Sequence, residues 1–143
     1  MSKRVSIEPK AYEAIMGLEK YLETTGITPL HAEMIRIRAS QINGCAYCIN
    51  MHTKDARAAG ETEQRIYLLN AWREVDSLYT PEERAILALT EEVTLISNHG
   101  LSDKVYDDAE AILGRKYLGQ VLTAVITINA WNRLAISTRM QPA

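Results

Sequence analysis

The chain has 143 residues, of which 47% are hydrophobic and 24% are charged, and its formal net charge is −2. This length and composition are typical of a globular protein and predict a single domain, residues 1–143, with one sizeable core. Because basic residues form no run longer than a pair, such as Arg115-Lys116, the sequence argues against nucleic acid as a partner.

Export and membrane insertion are both disfavoured by the sequence. Residues 1–16 contain no apolar segment of the kind found in secretion signals, so we expect a cytoplasmic protein. The longest stretch without a charged residue, Tyr117 to Asn132, is shorter than the roughly 20 residues of a membrane-spanning helix and includes polar residues. We therefore expect no contact with a membrane.

Helix signals recur from the start of the chain. Pro9 suits a first helical turn, and the apolar residues after it recur at spacings of three and four until Gly26. Thr28-Pro29, an N-cap followed by proline at the first helical position, predicts a second helix. This helix should end at Asn43, with Gly44 as its C-terminal stop.

The middle of the chain continues this pattern. A third helix is predicted from about Cys45 to a stop before Gly60. A fourth helix is predicted from Thr62 to about Asn70, and the segment from Ala71 to Tyr79 is predicted to be irregular.

Three further helices are predicted after that segment. Thr80-Pro81-Glu82-Glu83 is a capping box that opens the fifth helix, which should end at Asn98-His99-Gly100. Ser102 opens the sixth, and Gly114 separates it from a last helix over about residues 116–137. Since no stretch alternates apolar and polar residues between turns, the sequence predicts an all-α fold, a compact helical bundle of about six to seven helices.

The last predicted helix is apolar on most sides, and such a helix needs neighbours on most sides. Its apolar residues point in several directions around the axis: Val121, Leu122, Val125, Ile126, Ile128 and Trp131. Either it is the central helix of one bundle, or part of it packs against a second subunit of a homo-oligomer. Trp131, Trp72 and Tyr79 are predicted to be core residues.

Both cysteines of the chain lie in the segment NGCAYCINMH, residues 43–52. Cys48 follows Cys45 by three residues and His52 follows Cys48 by four, so all three share one helix face. The helix N-terminus favours a thiolate at Cys45, and a nearby base lowers the pKa of a thiol. A thiolate attacks disulfides and peroxides, and a second cysteine one turn away can then form a disulfide with the oxidised thiol. The motif thus supplies an attacking thiol, a resolving thiol and a proton acceptor without any cofactor.

Three other interpretations of this motif remain open. A zinc site needs four ligands, and the motif supplies three, with His31, His99 or Glu33 as candidates for the fourth. A structural disulfide is the weakest interpretation, because so short a loop constrains the unfolded chain little. The third interpretation is a pair of buried, unreactive cysteines.

Glu33 stands out because the helix predicted around it is otherwise rich in apolar residues. A buried carboxylate is costly without a partner. The partner is either Arg36 or Arg38, in a salt bridge, or His52. In the second case Glu33 is expected to have a raised pKa and to pass a proton to or from His52.

These residues together form a recognisable pattern. Glu33, eleven residues, Cys45-Ala46-Tyr47-Cys48, three residues and His52 resemble the core motif of the alkylhydroperoxidase D-like proteins, within the carboxymuconolactone decarboxylase family. A looser resemblance continues through NAWREVDSLYTPEERAILALTEEVTLIS and NAWNRLAIS, so it covers most of the chain.

The resemblance implies an alkylhydroperoxidase D-like helical fold, homo-oligomers such as trimers or hexamers, and thiol-dependent peroxidase or disulfide reductase activity in antioxidant defence. Carried over residue by residue, Cys48 attacks a hydroperoxide and Cys45 resolves the product as a disulfide. His52 deprotonates Cys48, and Glu33 relays the proton. An external dithiol, either a lipoyl group or a thioredoxin-like protein, restores both thiols.

Other functions stay open beside this one. A metal-binding module would use Cys45, Cys48, His52 and Glu33, and a redox-sensing oligomer would use the dithiol without turnover. Decarboxylation is less favoured, because the decarboxylases of the wider family lack the dithiol. Tyr47 occupies the position of a further histidine in the best-known members, so the relay is incomplete and weaker peroxidase activity is expected.

Overall fold

The computed structural model describes residues 3–143, and every regular element among them is a helix. The α-helices are α1 (Pro9–Glu23), α2 (Pro29–Asn43), α3 (Ala46–Ala58), α4 (Glu63–Tyr67), α5 (Pro81–Thr94), α6 (Ile96–His99), α7 (Asp103–Leu113) and α8 (Arg115–Ser137). A 3-10 helix spans Leu69–Glu74 between α4 and α5. The predicted all-α fold is therefore confirmed.

Side-chain caps begin the helices where the sequence predicts them. The Thr28 hydroxyl accepts a hydrogen bond from the backbone N–H of His31 at 3.3 Å. The Thr80 hydroxyl accepts from the N–H of Glu83 at 3.1 Å, and the Glu83 carboxylate accepts from the N–H of Thr80 at 2.7 Å. Gly44 ends α2 in the left-handed region, with φ 71°, which is strained for residues with a Cβ. This tight turn leads directly into α3, which packs against α2.

The segment before α5 is more ordered than predicted. Ala71 lies within the 3-10 helix Leu69–Glu74, and the chain becomes irregular only from Val75. The reason is a contact from α5: the Arg84 guanidinium donates to the carbonyl oxygens of Trp72 and Val75, at 3.2 and 2.9 Å. A side chain from another helix therefore adds hydrogen-bond partners for backbone carbonyl groups of this segment.

The fifth predicted helix is divided in two. α5 ends at Thr94, because Leu95 has φ −92° and ψ 40°, and the short helix α6 follows. The structure has more helical segments than the predicted six to seven, because it contains α6 and the 3-10 helix Leu69–Glu74 in addition.

α8 is the central helix of the bundle and packs against α1, α2, α3, α5 and α7. The main cluster of buried apolar residues comprises Ile35, Ala39, Ala85, Ile86, Leu89, Ala109, Leu118, Val121, Ala124, Val125 and Ile128. Within residues 3–143, no helix combines the length and the apolar character needed to cross a lipid bilayer.

Two large apolar side chains of α8 are exposed. Ile126 is 55% exposed and Ile136 is 42% exposed in the single chain. We expect this face to pack against a second copy, so light scattering at micromolar concentration should give a mass several times the 16.1 kDa of one chain. Ile126→Glu should lower that mass, whereas Ile112→Glu, a matched change at an exposed position on α7, should not. A monomer mass for the unchanged protein would contradict the prediction.

Candidate active site

The two cysteines lie at the start of α3 and are joined by a disulfide, with their Cα atoms 5.3 Å apart. Cys45 is the N-cap residue rather than part of the first turn, and its sulfur accepts a hydrogen bond from the backbone N–H of Cys48 at 3.3 Å. Both residues are almost fully buried, at 1% and 2% exposure, and pack with Tyr47 and Ala135. The spacing of three residues therefore allows the disulfide that the redox interpretation requires.

A pocket of about 370 Å³ opens beside this disulfide, and only one of the two cysteines lines it. Cys48 belongs to the pocket wall, whereas Cys45 does not. The wall is built by side chains of α1, α2, α3 and α8 together with Met140 after α8. A molecule that enters the pocket therefore meets Cys48.

His52 lines the same pocket, one helical turn after Cys48. It is buried, and its Nδ1 lies 3.0 Å from Oε2 of Glu33 on α2. A carboxylate accepts hydrogen bonds, so Nδ1 carries the proton in this contact. The other ring nitrogen, Nε2, is then the basic atom of the imidazole and can accept a proton.

Glu33 contacts both of the partners that the sequence offered as alternatives. Oε1 accepts a hydrogen bond from the Arg36 guanidinium at 2.6 Å, while Oε2 faces His52. Arg38, the other candidate, donates to Glu91 instead, at 2.8 Å. The salt bridge and the contact with His52 therefore exist together.

The expected raised pKa of Glu33 is wrong. Burial by itself raises the pKa of this carboxyl, but the hydrogen bond with His52 and the charge of Arg36 outweigh it, and the pKa falls below its usual value. Glu33 is therefore ionised at neutral pH. It suits the role of a fixed anion that orients His52, rather than a group that holds a proton.

The lowered pKa of Glu33 predicts a pH dependence of stability. The folded-state pKa lies below the unfolded value of 4.5, so this carboxylate stabilises the fold above about pH 4.5, and the contribution is lost as the pH falls through the folded-state pKa. Urea unfolding of the native protein and of Glu33→Gln should show a larger difference in unfolding free energy at neutral pH than in acid. An equal difference at both pH values would contradict the prediction.

A further ion pair connects this site to α1. The second arm of the Arg36 guanidinium contacts Oε2 of Glu19 at 3.1 Å, and Oε1 of Glu19 accepts from the indole N–H of Trp131 at 2.9 Å. No residue of α1 is buried, so these polar contacts help to hold this helix as a wall of the pocket. Local sequence does not indicate that Glu19 lies in the pocket wall, because its partners Arg36 and Trp131 are 17 and 112 residues away.

The aromatic residues predicted to lie in the core have different locations. Trp72 and Tyr79 are buried in a separate apolar cluster, where the indole N–H of Trp72 donates to Glu91 at 3.1 Å. Trp131 lines the pocket, and Tyr12 packs edge-on against it with ring centroids 5.2 Å apart. The core prediction therefore holds for the first two residues, and it holds in part for Trp131, which packs partly buried against the main core cluster and also lines the pocket.

A possible metal-ligand group differs from the predicted one. Ligand atoms of Glu33, His52 and Asp55 lie within 4.8 Å of one another, whereas the two cysteines are bonded to each other. The Arg36 guanidinium lies 2.6 Å from Glu33 and repels a second cation there. The charges around Glu33 therefore suit an ion-pair network better than a metal site.

Comparison with known proteins agrees with the pattern of the site. The sequence profile of the carboxymuconolactone decarboxylase family matches residues 9–92, a range that includes Glu33, Cys45, Cys48 and His52. The uncharacterized protein YdfG of Bacillus subtilis is 44% identical over 140 residues, which are 96% of this chain and 95% of YdfG.

Solved structures show the same fold. A protein of unknown function from Agrobacterium tumefaciens, which has been suggested to be the antioxidant defence protein AhpD, is 38% identical with a TM-score of 0.91, over 95% of this chain and 92% of that one. An uncharacterized peroxidase-related protein of Ralstonia eutropha with an alkylhydroperoxidase AhpD core is 19% identical with a TM-score of 0.82, over 95% of this chain and 72% of that one, and supports the fold alone. The chain therefore belongs to the carboxymuconolactone decarboxylase family, as one of its alkylhydroperoxidase D-like members.

Proposed function

We propose that this protein is a cofactor-free dithiol peroxidase that reduces organic hydroperoxides in antioxidant defence, in the cytoplasm. One observation carries the proposal: Cys48, bonded to Cys45, lines a pocket together with His52, whose Nδ1 contacts the ionised Glu33. An attacking thiol, a resolving thiol and an oriented base are the groups that thiol-dependent peroxide reduction needs.

The proposed cycle begins with both thiols reduced. His52 takes the proton of Cys48, and the thiolate attacks the terminal oxygen of ROOH, which breaks the O–O bond. The alkoxide leaves as ROH after taking a proton from His52, and Cys48 becomes a sulfenic acid. The Cys45 thiol then attacks the Cys48 sulfur, water leaves, and the disulfide forms.

The assignment of Cys48 as the attacking thiol rests on access. Cys48 lines the pocket and Cys45 does not, although the helix N-terminus and the N–H of Cys48 would stabilise a thiolate at Cys45. A stabilised thiolate is also a good leaving group, so Cys45 suits release when the disulfide is reduced. A reductant that enters the pocket would therefore attack Cys48 and expel Cys45.

The reductant is proposed to be an external dithiol. A lipoyl group fits better than a thioredoxin-like protein, because both sulfur-bearing residues are almost fully buried and a slender arm can reach the pocket wall. The dithiol loses two electrons and two protons and becomes a disulfide, while Cys45 and Cys48 return to thiols.

Thiol counts before and after one equivalent of cumene hydroperoxide test the proposal. The reduced protein should lose two thiols, form no intermolecular link, release one equivalent of alcohol and turn over when dihydrolipoamide is added. Two thiols that survive the peroxide would refute the proposal. Oxidation without turnover would indicate a redox sensor, and tight binding of zinc by the reduced protein with protection of both thiols would indicate a metal-binding module.

Tyr47, which also lines the pocket, provides a test of what limits the rate. Because it replaces a histidine of the family pattern, Tyr47→His should raise peroxidase turnover if proton transfer is limiting, and general-base assistance is worth up to about 10²–10⁴-fold. Tyr47→Phe is the matched control and should give no gain. An unchanged rate in a folded Tyr47→His variant would mean that the reductant or the substrate limits the rate.

A further inference from the structure

Carboxylates outnumber cations around the pocket that holds Cys48. Glu19, Glu23 and Asp55 line the pocket, and Arg36 is the single arginine or lysine among the residues that do so. The Arg36 guanidinium already contacts Glu19 at 3.1 Å and Glu33 at 2.6 Å. Its charge is therefore shared between these two carboxylates, and the exposed residues Glu23 and Asp55 add negative charge to the pocket wall.

The rest of the wall is largely apolar. Three methionines reach it from three parts of the chain: Met16 on α1, Met51 on α3 and Met140 after α8. Leu134 and Trp131 complete the apolar surface from α8. Methionine side chains adapt to ligands of different shape, so this wall suits compact apolar groups without demanding one outline.

The volume of the pocket suits an organic ligand rather than hydrogen peroxide itself. About 370 Å³ is near the lower end of the roughly 300–1,000 Å³ typical of small-molecule pockets. An organic hydroperoxide that carries a ring fits this volume, whereas a hydrogen peroxide molecule would leave the apolar wall without contacts.

From these observations we infer that the pocket selects neutral, apolar organic hydroperoxides and discriminates against those that carry a carboxylate. This inference rests on the proposed peroxidase function and adds the substrate class. A substrate carboxylate near Glu23 and Asp55 meets like charge, and the arginine that could pair with it is already engaged. Repulsion at partly exposed charges is expected to lower kcat/KM by about tenfold, and added salt should reduce this effect.

The test compares cumene hydroperoxide with its para-carboxylate analogue, using the full chain and dihydrolipoamide as reductant. We expect kcat/KM to be about tenfold or more higher for the neutral substrate, and the ratio to shrink as ionic strength rises. Glu23→Gln should reduce the ratio, and Glu23→Lys should reduce it further. Glu13→Lys, a matched change at an exposed position of α1 that does not line the pocket, should leave the ratio as it is.

A binding measurement separates this inference from the proposed function. Two alcohols can be titrated into the disulfide form of the protein: the alcohol corresponding to cumene hydroperoxide, and the para-carboxylate analogue of that alcohol. Trp131 fluorescence reports binding, and Trp131→Phe is the control for this signal. Tighter binding of the neutral alcohol supports the inference even if neither peroxide is reduced. The inference would be overturned by equal kcat/KM values for the two hydroperoxides, by equal binding of the two alcohols, or by no binding of either alcohol. Equal kcat/KM values would still leave the peroxidase function intact.

Discussion

Replacing Cys48 by serine is expected to abolish peroxide reduction, with a loss of turnover on the order of 10³ or more, because no other thiol lines the pocket. Replacing Cys45 by serine should have a different result. Cys48 still attacks the peroxide once, so one equivalent of alcohol should appear in a burst, and Cys48 should remain as a sulfenic acid that dimedone can trap. Steady-state turnover with the dithiol should fall strongly, because the intramolecular disulfide can no longer form.

The pair of cysteine variants distinguishes access from thiolate stability. Rapid measurement of alcohol release, with mass spectrometry of the dimedone adduct, reports which sulfur reacts first. If Cys48→Ser kept the burst and Cys45→Ser lost it, Cys45 would be the attacking residue. The effect of its position at the N-cap of α3 would then outweigh its absence from the pocket wall.

His52→Ala is expected to lower peroxidase turnover by about 10²–10⁴-fold, the usual value of general-base assistance. It should also slow alkylation of Cys48 by iodoacetamide at neutral pH, by about tenfold for each unit by which the thiol pKa rises. Alkylation is best measured in the Cys45→Ser background, where Cys48 is the one remaining thiol. His99→Ala, at an exposed position in α6, is the control and should leave both rates unchanged.

Glu33→Gln tests how the carboxylate acts through His52. The amide keeps the size of the side chain but removes the negative charge beside His52. Transfer of the Cys48 proton to His52 should then be less favourable, so the pH at which Cys48 becomes reactive should move upward. We expect turnover to fall by at least about tenfold and by more than the alkylation rate. Because Glu33 also contacts Arg36, the unfolding free energy should fall as well. If Glu33→Gln lowered stability but left the turnover rate, the alkylation rate and the pH profile unchanged, Glu33 would have only a structural role as a partner of Arg36.

Local features of the sequence determined the helices and the spacing of the reactive residues. Thr28 and Thr80 cap helices through contacts with residues three positions away, and Gly44 ends α2 through its own backbone conformation. Cys48 and His52 share a helix face because of the 3.6-residue period. Such features depend on residues within one or two helical turns, so the amino-acid sequence suffices to predict them.

Tertiary structure decided what surrounds those residues. Whether Glu33 pairs with Arg36 or with His52 could not be predicted, because each carboxylate oxygen takes a different partner and the second partner belongs to another helix. The direction in which the pKa of Glu33 shifts depends on the same two partners. Burial alone raises it, and only the positions of the two partners show that their effect is larger.

The pocket itself depends on contacts that are distant along the chain. Glu19 joins Trp131, 112 residues away, and Arg36, 17 residues away, and these bonds help to hold α1 over the reactive cysteine. Neither hydrophobic periodicity nor a local motif predicts such a contact, because its free energy depends on how α1 packs against α8 rather than on the residues beside Glu19. The sequence therefore determined which groups can react, and the packing of the helices decided which sulfur faces the pocket and which charges surround it.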